Sequence, residues 1–124
     1  MRIEFIAQGM NNQSKTVGKY LCSSFQDPNY YSFYCFSAFT KLSGINILKE
    51  DLLNAKRKYK KLKFYLGISE KGTSKEASEF LLNQEFETWT FCTCSSIIFH
   101  PKIYLFQGVI SHFKSEQSQN CDRI

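Results

Sequence analysis

"YYSFYCFSAF", residues 30–39, decides how this chain folds. Read at the two-residue period of a strand, it splits into Phe33, Cys35 and Phe39 on one side and Tyr34, Phe36 and Ala38 on the other. Both sets are largely apolar, which is the pattern of a central strand with both faces covered. Asp27-Pro28-Asn29 marks a break before it. The stretches on either side have a different period. "SKTVGKYLCSSF" brings Val17, Tyr20, Leu21 and Phe25 to one helical face, with Ser14 as the expected cap, and "SGINILKEDLLNAKRK" does the same with Ile45, Leu48, Leu52 and Ala55.

The pattern continues outward from there. "RIEFIAQ" near the N-terminus alternates as a first strand, and "KLKFYLGI" reads as a third. "TSKE" is a capping box in which Thr73 and Glu76 exchange hydrogen bonds ahead of a helix burying Ala77, Phe80 and Leu81. "TWTFCTC" and "IIFHPKIYLF" are two further strands joined by a short turn. The order β-α-β-α-β-α-β-β predicts an α/β fold with a mixed, largely parallel sheet flanked by helices, its last pair antiparallel. One domain over residues 1–110 is expected, followed by an irregular or partly ordered tail, 111–124, where apolar periodicity is lost.

Composition narrows the class. The chain has 124 residues and a formal charge of +5, enough length for a hydrophobic core and a balance that suits a polyanionic partner. No apolar run is long enough to cross a bilayer, and "MRIEFIAQGMNNQSK" has charge where a secretion signal needs an apolar core, so a cytoplasmic protein is expected. Five cysteines, an odd number set mostly in apolar sequence, read as reduced thiols. Cys92 and Cys94 would lie on one strand face, but no matching Cys or His pair follows at metal-site spacing, so they read as small buried residues and no metal is expected. Much of the positive charge is concentrated in "KRKYKKLK", where Lys56, Arg57, Lys58, Lys60 and Lys61 form either a solvated helix end or a phosphate-contacting patch.

The chemistry of the chain is concentrated in "FHPKIYLFQG". In a strand His100 and Lys102 project from one face, while Pro101, Ile103 and Leu105 point the other way. An imidazole beside an ammonium is a poor structural pair but suits a phosphodiester: neutral His100 attacks phosphorus, and Lys102 holds the anionic oxygens. A second histidine is then needed to protonate the leaving oxygen. Pro101 lacks a ladder donor, so a bulge, an edge or a bare amide is expected there.

"FHPKIYLFQG", with "FYCFSAFTKLSGINIL" and "FYLGISEKGTSKEASEFLL" before it, resembles the phospholipase D superfamily, and within it the bacterial nucleases and restriction endonucleases. The resemblance runs over residues 1–108. It implies a phospholipase D-like fold, hydrolysis of DNA through a phosphohistidine on His100 without metal or cofactor, and a phosphate-binding role for Lys102. The family motif continues with an aspartate, replaced here by Gln107, and with a Gly/Ser-rich turn carrying an asparagine, for which Asn120 is the available counterpart. The family's active site combines two such motifs. This chain has one, because "HFK" at His112 and Lys114 shares only the spacing, so a homodimer with a shared site is implied. The other readings are a shortened, inactive domain that binds nucleic acid or a protein partner through its basic surface, and a lipid phosphodiesterase, which no membrane-binding amphipathic helix supports.

Overall fold

The computed structural model describes residues 16–69, 72–93 and 100–109, and the backbone of 120–123. Helix α1 (Val17–Gln26) leads into strand β1 (Tyr30–Ser37), then α2 (Leu42–Lys58), β2 (Lys61–Gly67), α3 (Lys75–Asn83), β3 (Glu87–Phe91), β4 (Lys102–Val109) and β5 (Asn120–Arg123). The expected first strand, "RIEFIAQ", and the cap at Ser14 lie outside the described residues.

The strands form one sheet in the order β3-β2-β1-β4-β5. β1, β2 and β3 are parallel neighbours, whereas β4 runs antiparallel to β1, and β5 antiparallel to β4. The fold is therefore α/β with a mixed sheet, in which two of the four pairings among the described strands are parallel. Among the described residues, the last two strands read from the sequence do not pair. β3 closes one edge, and β4 inserts on the far side of β1. Local alternation reveals that a strand exists but not its neighbour, which is set by crossovers and packing. Asn120–Arg123, within the segment expected to be irregular, pairs with Phe106–Val109 as β5.

Successive parallel strands step in one direction across the sheet, so right-handed crossovers lay α2 and α3 on the same face. α1 joins them there, its Phe25 ring packing against Phe33 and Phe106 at centroid distances of 4.7 and 4.9 Å. The core is built from this helical face: Leu21 and Phe25, Ile45, Leu52 and Ala55, and Ala77 and Leu81 meet Phe33, Cys35, Phe64, Leu66 and Phe106 of the sheet. The helical spacings predicted these contacts. Tyr34 and Phe36, of the other apolar set on β1, turn away from the described helices and are half-buried, while Ala38 of the same set is buried.

Two helix starts differ from the sequence reading by a residue or two. Thr16 caps α1, its side chain accepting from the Lys19 amide at 3.3 Å. Ser74, not Thr73, caps α3, accepting from the Ala77 amide at 3.2 Å, while the Thr73 hydroxyl donates to the Gly67 carbonyl at 2.6 Å. Thr73 thereby ties the loop to the end of β2. Among the described residues, no helix is long and apolar enough to cross a membrane.

Candidate active site

β4 begins at Lys102, so His100 and Pro101 of the expected strand "IIFHPKIYLF" lie before it. Lys102 pairs with Ser37 at the last rung of the β1–β4 ladder, and the Ala38 amide donates to the Pro101 carbonyl at 2.9 Å just beyond it. Pro101 thus supplies the acceptor that proline retains and sits where its missing N–H is not required of the ladder. His100 precedes the strand, so strand alternation no longer sets its direction.

Phe39 restores the pairing. Its ring meets the His100 imidazole edge-on, with centroids 4.9 Å apart and planes at 69°. The Lys102 ammonium stands 5.7 Å from the centroid of the same ring. Phe39 is 42% exposed, and both His100 and Lys102 are exposed beside it. One aromatic ring therefore holds an imidazole and a cation together at the surface, through an edge contact worth about 0.5–1.5 kcal/mol and a cation–π contact worth about 0.5–1 kcal/mol at exposed sites.

This grouping lies at the carboxyl ends of the parallel strands β1 and β2, where α/β sheets open a crevice. Both crossover helices begin at this pole and turn the positive ends of their dipoles toward it. The loops beneath are tied down. The Ser74 amide donates to the Thr40 carbonyl at 2.9 Å, the Gly72 amide to the Ser69 carbonyl at 3.0 Å, and the Thr93 amide to Ser69 Oγ at 2.9 Å. Gly72 passes so close to the Ala38 carbonyl that a side chain there would collide with it, and with the Phe39 ring next.

Behind Phe39 lies an apolar cavity of about 230 Å³, walled by Leu21, Phe33, Cys35, Ile45 and Leu52. Burial pushes the Cys35 thiol up to about 12, so it is an inert wall and not a nucleophile. Cys92, read as buried, is exposed at the end of β3, and Cys94 lies outside the described residues.

The other residues singled out in the sequence do not gather here. Gln107 faces away from Lys102 on the opposite side of the sheet, opposite Ser32 on one neighbour and Asp122 on the other. Asn120 pairs with Val109 at the far end of β4, seven residues from Lys102 and so about 23 Å along the strand. The basic cluster occupies the opposite pole, where α2 ends and β2 starts. There the Lys56 ammonium donates to the Gln84 carbonyl and lies 5.5 Å from the Phe86 ring, and the Lys60 ammonium lies 5.3 Å from the Tyr31 ring. Arg57, Lys58 and Lys61 are exposed nearby. His112 and Lys114 lie outside the described residues. Phe39 is the site residue that sequence reasoning missed. Its apolar neighbours made it read as core, and only the β1–β4 register brings it beside His100.

No family model matches this chain. No curated protein matches it either.

Proposed function

We propose that this protein is a metal-independent DNA phosphodiesterase of the phospholipase D type, an endonuclease related to restriction enzymes and acting in the cytoplasm as a homodimer. The observation that carries the reading is the meeting of His100 and Lys102 on the Phe39 ring at the carboxyl ends of parallel strands. A phosphate placed there meets a nucleophile, a cation and two helix N-termini at one pole.

In this reading neutral His100 attacks phosphorus, the bond to the leaving oxygen breaks, and a phosphohistidine forms. Lys102 offsets charge on the non-bridging oxygens as attack proceeds. His100 of the partner subunit donates the proton to the leaving oxygen, then takes one from the water that hydrolyses the phosphohistidine. A supercoiled plasmid incubated with the protein and EDTA is the test. Nicking is expected from the wild type and none from His100→Ala, with Lys102→Ala reduced about 10²–10³-fold. Undiminished nicking by His100→Ala refutes the assignment.

The separation of the basic cluster from His100 by the length of the sheet favours a second reading, a non-catalytic domain that holds nucleic acid. That reading expects no turnover, but retention of DNA that weakens with salt and with neutralisation of Lys58, Lys60 and Lys61. Retention that is insensitive to salt excludes it.

A further inference from the structure

The sheet face opposite the helices carries a row of apolar side chains that the phosphodiester reading does not use. Ile103, Phe36, Tyr65 and Trp89 are successive register partners on β4, β1, β2 and β3, a row about 14 Å long at the usual strand spacing. Trp89 is 54% exposed, Ile103 46% and nearby Phe91 43%. The Phe36 and Tyr65 rings stack at 4.6 Å with planes 6° apart. Trp89 Nε1 donates to Glu87 at 3.3 Å, and Lys63 pairs with the same carboxylate at 3.2 Å. The indole hydrogen bond and then the Lys63 ammonium hold the Glu87 carboxyl below its ordinary range. The indole is thereby fixed in orientation, and the acid beside it is compensated.

The row also has a direction. Along β2 the same face continues from Tyr65 to Lys63 and then to exposed Lys61, beside Lys58 and Lys60 at the basic pole. At the other end it stops at the pole of His100 and Lys102. The two poles are about 20 Å apart, six residues of strand, and the aromatic row lies between them. A ligand that presents flat rings at intervals along an anionic backbone matches the row and the basic pole together, and turns over the end of the sheet to reach Lys102, which by strand alternation lies on the other face. A second copy, itself at +5, is a poorer match for the basic end of this face than a polyanion is.

We propose that the sheet face that none of the described helices covers, through Tyr65 and Trp89 with Lys61 beyond them, is a stacking platform for single-stranded nucleic acid running between the basic pole and the His100 pole. This rests on the phosphodiester reading only for what happens at the His100 end. Stacking on such rings is tolerant of base identity, because every base has a π-face.

Trp89 is the chain's only tryptophan, so its fluorescence reports on this face alone. The wild type is titrated with oligo(dT), oligo(U) and a DNA duplex of equal length, and binding is followed in parallel by anisotropy of labelled oligonucleotide. Quenching is expected with the single strands, at lower concentration than with the duplex. The two homopolymers distinguish a DNA from an RNA ligand. Tyr65→Ala is expected to bind about fivefold to a hundredfold more weakly with unchanged far-UV circular dichroism, while Trp89→Phe, which keeps a ring, retains affinity in the anisotropy assay. Absence of quenching, preference for duplex, or undiminished binding by a folded Tyr65→Ala overturns the platform. So does an emission shift that follows protein concentration alone, which would assign the face to a second copy. Turnover of bis(p-nitrophenyl) phosphate by the wild type is assayed alongside. Turnover without single-strand binding sinks the platform alone, and binding without turnover sinks the catalytic reading alone.

Discussion

Gly72→Ala probes the support of the site without touching a candidate catalytic group. A Cβ on Gly72 would fall well inside contact distance of the Ala38 carbonyl oxygen, and 3.2 Å from both Phe39 Cδ1 and the Ser69 carbonyl oxygen. Two of these three neighbours are backbone, so no rotamer change relieves the collision. The Ala38 carbonyl belongs to the residue whose amide reaches Pro101, and the loop on the other side is held by Ser74. Overpacking against such neighbours costs about 1–3 kcal/mol, and a rigid backbone acceptor points to the upper half of that range. For a domain of this size about 2–3 kcal/mol corresponds to a fall in Tm of roughly 8–20 °C. The same displacement moves Phe39, and with it the ring that holds His100 beside Lys102. Thermal unfolding followed by circular dichroism, with plasmid nicking at a temperature where the variant remains folded, reads both effects. A variant with the wild-type Tm and wild-type nicking refutes the claim that this close approach supports the site.

Phe39→Ala removes two contacts worth together about 1–2.5 kcal/mol of positioning, so nicking by the folded protein is expected to fall about tenfold or more while Tm moves little. Leu81→Ala, at a position with no exposed surface, is expected to cost about 2–5 kcal/mol in urea unfolding, and a loss below 1 kcal/mol would contradict the packing of α3 on the sheet. Burial raises the Cys35 thiol from 9.0 to about 12 and the Tyr59 hydroxyl from 10.0 to about 12. The folded state therefore keeps protons that the unfolded chain releases, and stability, complete below about pH 9, declines as pH rises toward 12. Denaturant midpoints measured across that interval test this, with Cys35→Ala expected to flatten the first part of the decline. At pH 8 a thiol reagent should label Cys92 before Cys35, whose modification should await unfolding.

Helical periodicity was the most legible part of the sequence, because three-dimensional burial follows it directly. Leu21, Phe25, Ile45, Leu52, Ala55, Ala77 and Leu81 all occupy the core where their spacing put them. The strands were legible as strands, but the two apolar sets on β1 did not say on which face the helices lie. Among the described residues all three helices lie on one side. The pairing of β4 with β1 was not legible either, since nothing local in "KIYLFQGV" names its neighbour. That pairing decides the candidate site. His100 and Lys102 were found by chemical type and spacing in a strand that begins only at Lys102, and Phe39 brings them together instead of alternation. Gln107 and Asn120 match only a motif spacing, which counts residues and does not record that Gln107 faces the other side of the sheet.

The most direct measurement is mass spectrometry of the protein after brief incubation with an oligonucleotide in EDTA, quenched at alkaline pH, where a phosphoryl–imidazole bond survives. A nucleotide adduct is expected on the peptide containing His100, lost on acid treatment and absent from His100→Ala. Cleaved oligonucleotide with His100 unmodified, or an adduct on another residue, would contradict it.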